Sequence, residues 1–397
     1  ENLFSSWFNS LLTVLSLYFI FILLKDFIPW VYGAHWTTGS IRECYDINPD
    51  VACFSVLTAR WKQLLFGLYP AEEYWRPILT FCLLILSMVP ILFSRFIRFF
   101  WFSVMYPGIA IWLLWGGSFW SIAIIYIGLG VGFMSFLTMR SRIMKSSSVS
   151  LLSSCVITIL FFIFLANPFA KILASFIPIS LPFVESLKFG GFTLSLIVGV
   201  TGIVASFPMG IVLALGRQSD MPLVKMICVG FIEFIRGVPL ITLLFVASVL
   251  LNYFLPPGTN FDIVLRVIIM VTLFSAAYMA EVIRGGLAGL PVGQYEASAS
   301  LGLTYWQSQR LIIMPQALKI SIPGIVNTFI GLFKDTTLVS IISLLDPVGL
   351  SSMIRADTKW NGIYWELYIA VGLMFFIFCF GMSQYSQYLE RKLKTDN

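Results

Sequence analysis

The chain alternates long apolar runs with short polar breaks. Apolar stretches fall near residues 7–24, 77–94, 100–116, 118–138, 148–166, 190–216, 237–254, 262–283, 312–333 and 363–387. A helix needs about 20 mostly apolar residues to cross the hydrocarbon core, whereas a membrane barrel shows alternating segments of about 10 residues. The runs are continuous, so the pattern predicts an all-α integral membrane protein with about ten transmembrane helices. The least defined boundary is Gly116-Gly117, where one very long helix competes with two short ones joined by a tight glycine turn. The first run has no basic segment before it and no small-residue cleavage pattern after it, since the chain continues Lys25-Asp26-Phe27-Ile28-Pro29. It is expected to be a retained span rather than a signal peptide.

Charge bears on the count. With the N-terminal side in the cytoplasm, ten spans place Arg95 and Arg98, then Arg140, Arg142 and Lys145, Arg217 and Lys225, Arg284 and Arg310, and finally Arg391, Lys392 and Lys394 inside. That is the positive-inside arrangement, and fusing the runs at Gly116 breaks it. The polar stretch 32–76 then lies outside, although it holds Arg42, Arg60, Lys62 and Arg76; longer loops obey the rule less well. Residues 167–189, broken by Pro168, Pro178 and Pro182 and carrying Lys171, Glu185 and Lys188, read as an outside connector. The expected organisation is an N-terminal extension over 1–189, with about five spans and the external loop 32–76, followed by a second part over 190–397. Charged and glycine-containing segments cluster at the span ends of that second part.

Composition narrows the function classes. At 59% hydrophobic and 11% charged residues, the chain lies far from a soluble domain with roughly 45–50% apolar and about 25% charged residues. The net charge of +6 sits in short clusters between apolar runs, which serves orientation in lipid and implies no nucleic-acid partner. Cys82, Cys155, Cys228 and Cys379 lie in or beside apolar runs and read as small buried hydrophobes. Cys44 and Cys53 share the polar stretch, where an oxidising exterior leaves a disulfide and two free thiols equally open. His35 is the only histidine, so neither a metal site nor a histidine-based hydrolase is supported. There is no Gly-Lys dipeptide and hence no G-x-x-x-x-G-K-[ST] phosphate loop.

One segment carries chemistry of a different kind. After Gly285-Gly286 the chain reads LAGLPVGQYEASASLGLTYWQSQRLIIMPQALK, which predicts two short helices around a turn. Pro291 opens the first, Gly302 permits the turn, and residues 305–313 resume a helix before Pro315. Leu301, Leu303 and Trp306 are apolar anchors suited to a partner's pocket. The segment resembles the cytoplasmic signature of ABC import permeases: E-A-A, three residues, G, nine residues, I, one residue, L-P. Glu296, Ala297, Gly302, Ile312 and Pro315 match in spacing, with Ser298 for the second alanine and Met314 for leucine.

The resemblance covers about residues 190–390 and narrows to the amino-acid branch. Its further marks are FIEFIRGVPLI (Glu233, Arg236, Gly237, Pro239), AAYMAEVIRGGLAGLPVGQ (Glu281, Arg284, Gly293, Gln294) and IPGIVNTFIGLFKDTTLVS (Pro323, Asn327, Lys334, Asp335, Thr336, Leu338). The N-terminal half, with WKQLLFGLYPAEEYWRP, looks like the longer subunit of general or polar amino-acid importers. The resemblance implies a five-helix type I importer core over 190–397 with a coupling helix at 291–315. It implies a non-enzymatic permease subunit that carries L-amino acids across the bacterial inner membrane. The implied partners are a second, different permease subunit, an ATP-binding subunit dimer that uses ATP and Mg, and a periplasmic amino-acid-binding protein. No cofactor is implied for this chain itself.

By the same resemblance, Glu296, Ala297, Ser298, Leu301, Gly302, Leu303, Ile312 and Pro315 are expected to couple to the ATPase. Asn327, Thr328, Lys334, Asp335 and Thr336 are candidates for the substrate pathway, because an ionisable pair at membrane depth is costly and usually lines a polar route. Relatives that carry cationic amino acids often have a glutamate directly after this asparagine; Thr328 here weighs against such cargo. Glu233 with Arg236, and Glu281 with Arg284, are three apart and thus helical neighbours. Together with Pro239 they are expected at the cytoplasmic end of the pore, either as gate or elbow contacts or as helix-end pairs. The alternative of an ion-coupled secondary transporter calls for inverted repeats, and no convincing repeat is found.

Overall fold

The structure is a computed structural model that describes residues 2–142, 147–250, 253 and 261–394. Lys145 and part of the seventh apolar run lie outside the described residues. Nine described helices are long and apolar enough to cross a membrane: Trp7–Tyr32, Ala71–Leu92, Arg95–Trp115, Phe119–Ser141, Val149–Phe176, Gly191–Arg217, Ile263–Ala288, Tyr305–Ile342 and Trp365–Leu393. A tenth crossing is available if Pro222–Gly237 and Leu240–Leu250, which meet at a bend of 99°, form one broken span.

Three expectations change. The seventh run does not form a straight span starting at Gly237. A helix already covers Pro222–Gly237 and stops there because Pro239 drives Val238 into extended backbone (φ −109°, ψ 131°). Residues 167–176 are not connector, since a π turn over Phe161–Leu165 hands on to a helix at Ala166–Phe176. Pro168 lies just after the π turn, inside a helix that continues to Phe176. Nor does Pro315 end a helix. The π turn Gln309–Ile313 precedes it, and Pro315 sits in the first turn of Met314–Asp335.

Contacts divide the chain into one unit of residues 1–67 with 189–397 and another of residues 68–188. The second unit holds four of the apolar helices. Its centre is the turn at Gly116 and Gly117, whose φ values of +78° and +83° favour glycine and split two helices there. Arg76 is fully buried beneath this turn and donates to the carbonyls of Leu113, Leu114 and Pro182. A Cβ on Gly116 would lie 2.1 Å from the Pro182 oxygen. The sequence puts Arg76 in a loop; in the fold its donors meet turn carbonyls, which makes a buried cation tolerable.

The first unit groups differently from a division at residue 189, because the polar stretch after the first span packs with the second half. Ile41, Cys44, Cys53, Val56 and Leu64 share a core with Phe192, Phe333, Leu350, Ile354, Trp360, Ile363 and Leu367. Cys44 and Cys53 are joined by a disulfide. The Cys53 N–H donates to the buried Glu366 carboxylate at 3.0 Å, and the Ile41 N–H to the Lys359 carbonyl at 2.9 Å. Residues 33–67 and 343–364 therefore lie at one end of the core, as the parity from charge requires. The remaining helices approach closely through glycine: a Cβ on Gly199 would meet Phe333, on Gly210 Met279, on Gly286 Ser321 and on Gly324 Val282, each under 3.0 Å.

Candidate functional site

The helix Ile263–Ala288 runs through the core to its opposite end. Asp262 caps it by accepting from the Leu265 N–H at 3.0 Å. Arg266 donates to the carbonyls of Phe261 and Ser248 and so braces the π turn Val246–Leu250 of the broken span. The helix runs into Gly289-Leu290, and Pro291 turns the chain into Val292–Ser300. Ile283, Leu287 and Leu290 pack with Ile313, Ala317 and Ile232, so the start of the next span and the first limb of the broken span join one apolar body.

The two arms Val292–Ser300 and Tyr305–Ser308 with the turn between them form a knob built by local chemistry. Gly302 turns the chain at φ +69°. Thr304 and Gln307 form a reciprocal capping box that starts Tyr305–Ser308. Ser298 is buried and donates to the Tyr295 carbonyl at 2.8 Å while accepting from Ser308 at 2.7 Å, which stitches the two arms. Glu296, Ala297 and Gly302 face solvent, Leu303 and Ile312 are half-buried, and Pro315 is exposed. Leu301 and Trp306 remain 72% and 70% exposed. Such large apolar side chains at the tip of a capped, rigid turn have the form of docking anchors.

Beside the knob lies a cluster of charges at the elbow. Glu281 is its hub: Oε1 takes Arg284 at 2.6 Å, and Oε2 takes Arg217 at 3.1 Å and Arg236 at 3.8 Å. Glu233 pairs with Arg217 at 2.9 Å and not with Arg236, its expected helical neighbour. Arg236 lies instead over the Tyr278 ring, 5.5 Å from its centroid. Sequence spacing points to four of these five residues, whereas Arg217 reads only as a loop charge. Its partners are 16 and 64 residues away, and no local spacing announces that. Pro239 forms the bend next to this cluster.

The pathway candidates divide. Asn327 and Lys334 are exposed and Asp335 is half-buried on Met314–Asp335. Thr328 turns its hydroxyl back to the Gly324 carbonyl at 2.9 Å. Thr336 is fully buried and bonded to the Phe333 carbonyl at 2.7 Å, so it packs in the core and offers no surface to a solute. Among the described residues no cluster of three or more His, Cys, Asp or Glu is placed to hold a metal ion.

Residues 206–395 match the family described as binding-protein-dependent transport system inner membrane component. Over its whole length the chain is 53% identical to the glutamate/glutamine/aspartate/asparagine transport system permease protein BztC of Rhodobacter capsulatus, of which it covers 93%. It is 38% identical, again over its whole length, to the inner membrane amino-acid ABC transporter permease protein YhdY of Escherichia coli, of which it covers 92%. A solved structure described as an amino acid ABC transporter with histidines aligns with 50% of this chain and 90% of its own, at 30% identity and a TM-score of 0.45.

Proposed function

Since the chain belongs to the binding-protein-dependent transport system inner membrane components, the permease subunits of ABC importers, we propose that it carries small polar L-amino acids inward across the bacterial inner membrane as one half of an unequal permease pair. Acidic amino acids and their amides are the favoured cargo. BztC, 53% identical over the full chain, is named for glutamate, glutamine, aspartate and asparagine, and Thr328 follows Asn327 at the position where relatives that carry cationic amino acids often have glutamate.

The observation that carries the reading is the knob. A capped, internally hydrogen-bonded turn presents Leu301 and Trp306 next to the exposed Glu296 and Ala297, at the end of the helix that also anchors the elbow. In this reading a nucleotide-binding dimer, using ATP and Mg, clasps that surface on each permease and pulls it between two orientations. Ser298, Gly302, Leu303, Ile312 and Pro315 shape the surface. A binding protein delivers the amino acid from the periplasm, and Asn327, Lys334 and Asp335 offer it polar contacts on the way.

Uptake of radiolabelled glutamate by cells expressing the whole complex tests the proposal. Glu296→Ala is expected to lower uptake about tenfold or more and to weaken co-purification of the ATPase, at an unchanged level of permease in the membrane. Excess unlabelled glutamine, aspartate and asparagine should compete, and arginine should not. Uptake that persists without any ATPase and collapses with the proton or sodium gradient would overturn the reading.

A further inference from the structure

Within the elbow cluster one side chain joins three helices, among them the helix that leads into the knob. Arg217 is the last residue of Gly191–Arg217. Its Nη1 lies 2.9 Å from Glu233 Oε1, on the first limb of the broken span, and 3.1 Å from Glu281 Oε2, on the helix that leads into the knob. We infer that Arg217 is a positioning residue that ties the broken span to the knob-bearing helix, so that displacement of the knob is passed to the 99° bend. The inference rests on the importer reading and adds the element that transmits its motion.

The geometry favours this role over that of an ordinary helix-end pair. Helix-end pairs such as Glu281 with Arg284 stay within one helix, whereas Arg217 joins three. Without it, Glu233 loses its partner, and the ionic tie between the limb and the knob helix falls to the 3.8 Å contact of Arg236 with Glu281. The same two helices share an apolar contact through Ile232, Met279, Ala280 and Ile283. That contact holds the limb against its neighbour, and the bridge adds directional ties across it. The guanidinium is also 24% exposed and Glu233 54%. A bridge that reaches solvent can break and re-form at modest cost, as a moving joint requires.

The test uses the complete complex in proteoliposomes, with ATP hydrolysis measured with and without the loaded binding protein, alongside glutamate uptake. In Arg217→Gln, stimulated hydrolysis and uptake are expected to fall about tenfold, while unstimulated hydrolysis and ATPase co-purification stay within about twofold of wild type. Arg217→Lys, which keeps the charge, should recover a large part of the stimulation. Adding Glu233→Gln to Arg217→Gln should cost less than a further twofold, because the two residues share one bridge. Should Arg217→Gln fail to reach the membrane, Glu233→Gln alone, at a half-exposed position, makes the same comparison. Full stimulation in Arg217→Gln, or in Glu233→Gln where that variant stands in, overturns the inference, and so does equal loss in the Lys and Gln variants. A wild-type complex that shows no stimulation by the binding protein instead removes the importer reading beneath it.

Discussion

At position 298 a serine stands where the family signature carries alanine, and its buried hydroxyl shows what the exchange does. Ser308 donates to it at 2.7 Å, and both side chains are buried. Ser298→Ala leaves the Ser308 hydroxyl without that acceptor, at a cost of about 1–2 kcal/mol, whereas Ser298→Ala with Ser308→Ala removes both ends and should cost less than Ser298→Ala alone. Melting temperatures of the purified variants in detergent check this; equal losses in the single and double variants would mean that an unpaired Ser308 hydroxyl carries no penalty. Asp346 makes a second residue-scale case. It is fully buried, and burial pushes its carboxyl up to about 6, although the N–H groups of Val348 and Gly349 hold the anion from the start of Pro347–Arg355. A folded-state pKa above the unfolded value means that the folded chain binds the proton more tightly. Stability from this group is therefore present below about pH 4 and is lost as pH rises towards 6. Asp346→Asn keeps a capping side chain and removes the charge. It should raise the melting temperature relative to wild type above pH 6, by an effect on the order of 1–3 kcal/mol, and the gain should vanish near pH 4.

At the scale of elements, the turns and bends were less legible in the sequence than the spans. Continuous apolar runs located the crossings because lipid imposes length and composition directly. Gly116-Gly117 was the least defined boundary; charge parity favoured a split there, and the two positive φ angles make it. Pro168 and Pro315 misled because proline signals a helix boundary only when its missing N–H matters, and π turns at Phe161–Leu165 and Gln309–Ile313 let both helices continue. The knob was legible through its spacing, while the Arg217 bridge depends on tertiary approach of three helices. The Cys44–Cys53 disulfide is of the same tertiary kind. It closes a short loop whose Cys53 N–H donates to Glu366 and whose two cysteines share a core with Trp360 and Leu367. Replacing both cysteines with serine should cost about 2–3 kcal/mol in loop-closure entropy. A matching drop in melting temperature, reproduced in wild type by reductant and absent in the double variant on adding reductant, checks the bond and its contribution.

At the scale of the whole molecule, the four spans of residues 68–188 are a contiguous insertion in the sequence of the first unit. The chain leaves the first unit at Gly67 and returns at Phe189, and these two residues face each other as an antiparallel bridge. Gly67 takes φ +67°, and a Cβ there would lie 2.3 Å from the Gly190 Cα, so the two crossing points are in backbone contact. An antiparallel bridge is what a two-residue Asn-Gly turn closes. Because the excised segment holds an even number of spans, the positive-inside orientation of every remaining helix is preserved. The disulfide-linked loop, the elbow and the knob all draw their contacts from the first unit. A chain in which Asn-Gly replaces residues 68–188 is therefore expected to insert with its knob still cytoplasmic and to co-purify with the ATPase. Accessibility of a cysteine introduced at the exposed position 301, measured from each side of the membrane in a variant whose native free cysteines are replaced, reads the orientation directly. Labelling from the periplasmic side would show that the inserted spans fix the topology of the rest. Labelling from the cytoplasmic side, with the ATPase bound, would show that the importer core folds without them and that their contribution lies in a step after assembly.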